Sequence, residues 1–114
     1  MSLLKSSRDV LLQCPDFKAA VRFYESVLGL PVMHRGESMV GFETGSFRLY
    51  VERRPSYGPV FEFYVADLAA AKVTLVAAGC RVEDEDPAVP RCYVRDPFGL
   101  IYNLAERKSP ETLP

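Results

Sequence analysis

The chain has one histidine, His34, and three cysteines, Cys14, Cys80 and Cys92. One imidazole so placed builds no Ser-His-Asp or Cys-His nucleophile. His34 is therefore either a lone general base or a partly exposed strand residue. The cysteines have neither C-x-x-C nor zinc-finger spacing and sit in apolar sequence, so they read as reduced thiols, two or three of them core residues. The remaining polar groups are interleaved with apolar ones. Asp9, Leu11 and Gln13 alternate with Val10, Leu12 and Cys14, and Val60, Glu62 and Tyr64 alternate with Phe61, Phe63 and Val65. A period of two puts each set on one face of a strand whose other face meets a core. Carboxylates and tyrosines so placed suit binding, because a carboxylate orients a hydrogen donor and a ring supplies contact area. Arg91, Tyr93 and Arg95 alternate with Cys92 and Val94 and so point together, either into a cleft or outward. The acidic run at 83–86 is either a contact for a cationic ligand or a solvated loop before Pro87.

The elements that position these residues occur twice. Residues 16–29 read D-F-K-A-A-V-R-F-Y-E-S-V-L-G and residues 67–79 read D-L-A-A-A-K-V-T-L-V-A-A-G, about 51 residues apart. Each follows one of the alternating strands. Asp16 and Asp67 stand where an N-cap accepts orphan amides, and Gly29 and Gly79 where a helix ends in the left-handed region. Phe17, Ala20, Val21, Tyr24 and Leu28 make one apolar stripe at helical spacing. The second stripe keeps Leu68, Ala71, Leu75 and Ala78 but has Lys72 where Val21 would correspond. Three strand-like runs follow each helix, at 32–35, 39–43 and 47–52, then at 81–83, 92–95 and 100–104. Thr44-Gly45-Ser46 and Asp96-Pro97-Phe98-Gly99 are the hairpin turns.

The expected fold is therefore α+β: tandem βαβββ repeats with helices on one side and a cupped antiparallel sheet. One domain over 8–106 divides into a first unit at 9–52, a linker at 53–59 and a second unit at 60–105, with a flexible tail at 107–114. At 114 residues the chain can bury a core without staples. Its formal charge of −1, with both signs interspersed, argues against nucleic acid or a membrane surface as partner. The absence of a long apolar run and of a signal-like start points to a cytoplasmic protein.

F-Y-x-x-V-L-G-L at 23–30, V-A-D-L at 65–68 and D-P-F-G-L-I-Y-N-L at 96–104 together resemble the vicinal oxygen chelate superfamily. It includes glyoxalase I, extradiol dioxygenases, fosfomycin-resistance thiol transferases and bleomycin-resistance proteins. The resemblance implies paired βαβββ units cupping a cleft, with many members dimerising so that strands of two chains share it. It also implies where a metal would sit: a His seven residues before the capping Asp in one or both copies, and a Glu in the last strand. Those positions are here Asp9, Val60 and Asn103, with Tyr50 as the first-copy counterpart of Asn103. A transition metal needs three or four anionic or imidazole ligands. Only Asp9 is a good one, so neither a metal nor a cofactor is expected.

The resulting expectation is a metal-free small-molecule binding protein of the glyoxalase/bleomycin-resistance type, homodimeric, sequestering an aromatic or amphipathic compound such as an antibiotic. The alternative is a glyoxalase- or dioxygenase-like enzyme, a lyase, isomerase or oxidoreductase, with an altered metal site or metal-free acid–base chemistry. An interaction module without a ligand is a third class. Asp9, Gln13, Tyr50, Val60, Glu62, Tyr64 and Asn103 are the candidate ligand-binding residues, and no catalytic residue is assigned. Asp9 is either a polar anchor at the cleft floor or a solvated strand start. For Tyr50, Glu62, Tyr64 and Asn103 the alternative is a dimer interface.

Overall fold

The computed structural model describes residues 3–86, 88–89 and 91–107. Among these residues, eight strands and two α-helices fall into two compact units, one holding residues 8–60 and the other the rest of the described chain. The first unit contains β1 (Lys5–Gln13), α1 (Phe17–Arg22), β2 (Val32–Arg35), β3 (Met39–Glu43) and β4 (Arg48–Glu52). The second contains β5 (Tyr57–Val65), α2 (Leu68–Ala77), β6 (Arg81–Asp86), β7 (Arg91–Arg95) and β8 (Ile101–Glu106). The division falls within β1, after Ser7, and within β5, after Val60. Of the expected tail at 107–114, residues 108–114 lie outside the described residues.

The repeat is exact in topology. Strand order is β2-β3-β4-β1 in the first unit and β6-β7-β8-β5 in the second. Two of the three pairings in each are antiparallel, but β1 with β4 and β5 with β8 are parallel, so neither array is purely antiparallel as expected. The even number of reversals in a βαβββ unit is the reason: the last strand returns alongside the first in the same direction. Register is shared as well. Leu11 stands opposite Tyr50 as Glu62 stands opposite Asn103. Even an irregularity is duplicated, since both β2 and β6 bulge one residue after their first valine, between Val32 and His34 and between Val82 and Asp84.

Each helix covers one face of its own array. Phe17, Val40, Phe42 and Val51 form the first core, joined by Cys14, Val21, Tyr24 and Leu49. Val65, Ala71, Cys92, Val94, Tyr102 and Leu104 form the second, joined by Phe63, Leu68 and Leu75. Burying such side chains removes apolar surface from water at about 25 cal/mol per Å². Cys80 is buried beside Tyr102, and all three thiols are free. Burial pushes the Cys92 thiol above its ordinary 9.0, which makes it a packing residue rather than a nucleophile.

Both caps form as expected. Asp16 Oδ1 accepts from Ala19 N at 3.3 Å, and Asp67 Oδ1 from Ala70 N at 3.0 Å. Glu106 Oε1 adds a second cap to α2, accepting from Leu68 N at 2.9 Å.

Several local expectations are corrected. The first apolar stripe ends early, because Phe23–Val27 form a π-helical turn in which Leu28 N bonds Phe23 O at 3.0 Å. The wider turn moves later residues around the axis, and Leu28 is left 54% exposed. Ala78 is likewise exposed. Phe61, expected on the core face, is exposed at the division between units. β5 starts at Tyr57, inside the expected linker.

The acidic run is not a loop but the end of β6. Glu83 pairs with Arg95 and, at 3.3 Å, with Arg81, while Glu85 pairs with Lys72 of α2. The lysine that interrupts the second apolar stripe is thus the partner of a strand carboxylate. Among the described residues, no helix is long and apolar enough to cross a membrane.

Candidate functional site

In the first unit the strand face away from α1 carries the chemistry. Val40, Phe42, Leu49 and Val51 point at the helix, so alternation sends Gly41 and Tyr50 the other way. Register then lines up Leu11, Tyr50, Gly41 and His34 in one row across β1, β4, β3 and β2. A Cβ on Gly41 would lie 2.8 Å from Tyr50 Cε1, so the glycine is what lets the ring rest on β3. The His34 and Tyr50 ring centroids are 6.5 Å apart. The bulge in β2 brings His34 into this row, and nothing in the sequence marks that bulge.

Ion pairs and a side-chain amide hydrogen bond flank the row. Arg48 Nε donates to Asp9 Oδ1 at 2.6 Å, and Arg8 donates to Glu43 Oε2 at 2.6 Å. The Arg8 hydrogen bond, aided by the Gly45 amide, holds the Glu43 carboxyl below its ordinary 4.5. Gln13 Nε2 donates to Glu52 Oε1 at 3.2 Å, with Gln13 only 2% exposed. Asp9 is thus a carboxylate paired with Arg48.

The second unit repeats the row with different side chains. Glu62, Asn103, Tyr93 and Asp84 are register neighbours across β5, β8, β7 and β6, on the face opposite Cys92, Val94 and Leu104. Arg91, Tyr93 and Arg95 therefore point away from the helix. Asn103 Nδ2 donates to Glu62 Oε2 at 3.0 Å, an orientation the acceptor-only carboxylate requires. Asn103 is 4% exposed and its Oδ1 has no hydrogen-bond partner among the described residues. Arg91 lies over the Tyr93 ring at 5.6 Å and Arg107 over the Tyr64 ring at 4.7 Å. One face of each ring thus carries a guanidinium.

The donor set does not suit the metal that the superfamily resemblance implies. Val60 is fully buried and offers no donor atom. Asp9 is held by Arg48, Asn103 directs its amide nitrogen at Glu62, and Tyr50 is a phenol packed on Gly41. Among the described residues, no group of three or more His, Cys, Asp or Glu side chains is placed to hold a metal ion.

Of the expected site residues, Tyr50 is brought beside His34, Asp9 beside Arg48, Gln13 beside Glu52, and Glu62 beside Asn103. Gln13, Val60, Tyr64 and Asn103 are buried rather than openly wet. Arg48 and Glu52 escaped the sequence reading although they alternate with Leu49 and Val51 around Tyr50, the same period-two signal used for β1. Gly41 became a site residue only through register, which also set His34 beside Tyr50 and Tyr93 beside Asn103.

The profile of the glyoxalase-like domain family matches residues 9–105. No curated protein matches the chain. A hypothetical protein from Bacillus halodurans C-125 has the same fold at 12% identity, with a TM-score of 0.65 and coverage of 95% of this chain and 97% of the other. The Mn(II)-bound glyoxalase from Novosphingobium aromaticivorans is 22% identical with a TM-score of 0.63, over 93% of this chain and 40% of that enzyme. Homoprotocatechuate 2,3-dioxygenase from Arthrobacter globiformis is 21% identical with a TM-score of 0.65, over 91% of this chain and 36% of that enzyme. The chain therefore spans about two fifths of either enzyme's length, and the likeness is one of fold. With the profile covering the duplicated βαβββ units and glyoxalases and extradiol dioxygenases sharing their fold, this chain belongs to the glyoxalase-like domain family of the vicinal oxygen chelate superfamily.

Proposed function

We propose that this protein binds a small molecule without a metal, in the manner of the glyoxalase/bleomycin-resistance type. It sequesters an aromatic or amphipathic compound, such as an antibiotic, and acts as a homodimer in the cytoplasm. One observation carries the metal-free reading. The residues at the superfamily's metal-ligand positions either lack a donor, as Val60 does, or are engaged by protein partners, as Asp9 is by Arg48 and Asn103 by Glu62. What those faces offer instead is a ring platform, Tyr50 with His34, and hydrogen-bonding groups in the equivalent row. Apolar concavities with a few placed polar groups are suited to holding small molecules.

A second reading has its own support. His34 beside Tyr50 places a titratable imidazole next to a phenol, the minimum for metal-free acid–base chemistry in an enzyme of the same superfamily.

Elemental analysis and native mass spectrometry of the same purified sample test the leading reading. We expect no stoichiometric metal and retention of a small organic ligand from a compound screen. Near one equivalent of zinc, iron, manganese or nickel, lost on Asp9→Ala, would overturn it.

A further inference from the structure

We propose that the Glu62–Asn103 pair recognises a planar ligand group with two N–H donors, such as an amidinium or the amino edge of a heteroaromatic ring. This rests on the small-molecule reading above and specifies the ligand's chemistry. The starting observation is the buried Asn103 Oδ1 with no donor among the described residues, while its Nδ2 is committed to Glu62. Buried carbonyls without a donor are rare because each loses its hydration uncompensated.

Three arginines near this face have partners of their own. Arg91 lies over Tyr93, Arg107 over Tyr64, and Arg95 is paired with Glu83 and reaches Gly99 O at 3.3 Å. Glu62, only partly buried, is the side from which a donor arrives. Glu62 and Asn103 are register neighbours on adjacent strands whose side chains already meet, Nδ2 to Oε2, at 3.0 Å, so one planar amidinium would span the two acceptors. Its two N–H groups would meet the Glu62 carboxylate and the Asn103 carbonyl, the first bond charge-assisted. A carboxylate or phosphate ligand brings only acceptors and would face two more.

The test uses the full chain and three probes of one shape: benzamidine, benzamide and benzoate, followed by calorimetry and thermal shift. Benzamidine should bind at least about tenfold more tightly than benzoate, with benzamide between them, since a charged hydrogen bond is worth that much. Glu62→Gln should remove most of the preference for the cation. Asn103→Ala should weaken benzamidine and benzamide alike. Circular dichroism of both variants, with Glu62→Gln the conservative one, shows that the fold persists. Equal binding of benzoate and benzamidine, no binding of benzamidine, or indifference to both substitutions overturns the inference. Metal content of the same samples separately decides the metal-free reading, so the two failures are distinguishable.

Discussion

Tyr50 rests on Gly41: a methyl group at position 41 would come within 2.8 Å of the ring. Gly41 has no positive φ, so its backbone would accept alanine, and only the ring forbids it. Gly41→Ala should destabilise by about 1–3 kcal/mol through overpacking. Shortening the ring's side chain in Gly41→Ala/Tyr50→Leu should recover part of that loss. Denaturant titration of the full double-mutant cycle measures the coupling, and additive single effects would show that the contact is not the cause.

Helix capping gives a second expectation. Asp16→Ala and Asp67→Ala should each lower stability by about 1 kcal/mol. For α2 the Glu106 carboxylate still accepts from Leu68 N, so Asp67→Ala combined with Glu106→Ala should exceed Asp67→Ala alone. Ligand affinity should not move with either single cap. A fall in affinity with unchanged melting would reassign the aspartate to the site.

Low pH should weaken the fold through two carboxylates. The Arg8 hydrogen bond lowers Glu43, and hydrogen bonds from Arg95 and then Arg81 lower Glu83, both below the ordinary 4.5. A group with a depressed folded pKa binds fewer protons folded than unfolded, so its stabilisation is complete above about pH 4.5 and fades as pH falls through the folded value. Glu83→Gln should therefore flatten the acid arm of a stability–pH curve. An unchanged slope below pH 4.5 would remove Glu83 from the account.

The alkaline limit should carry one late tyrosine. Burial, reinforced by Cys80, pushes Tyr102 up to about 12. Its folded value lies above the unfolded one near 10, so the stabilisation is full below pH 10 and is lost as pH rises towards 12. Ultraviolet titration should show one of the six tyrosines ionising last, and Tyr102→Phe should delete that step.

Self-association is expected at micromolar concentration. Phe23, Val27, Leu28 and Met33 are exposed large apolar side chains in the first unit, and an isologous pairing is the usual way soluble chains cover such surface. Sedimentation velocity should give a dimer. A monomer across the concentration range would count against the homodimer.

The duplicated helices, their caps, the hairpin at 96–99 and the existence of the strands β3, β4, β7 and β8 were readable from spacing alone. These depend on contacts within a few residues of chain, and local periodicity reports such contacts directly. The hairpin shows this: Gly99 adopts a φ of +99°, and its N–H reaches Asp96 O at 3.1 Å, as the Asp-Pro-Phe-Gly run requires.

What the tertiary structure alone decided lies between strands. The π-helical turn at 23–27 released Leu28, and the bulge in β2 turned His34 into the row of Tyr50. Neither leaves a mark in the amino-acid pattern, because each is one residue of slip in an otherwise regular element. Asp9 in the sequence is an acid like any other; Arg48, 39 residues later, makes it an ion pair. Glu62 and Asn103 likewise become one group only when parallel pairing of β5 with β8 sets them side by side. The sequence by itself determined that one βαβββ unit was written twice. Cross-strand register, which no single segment encodes, decided which chemistry each copy presents.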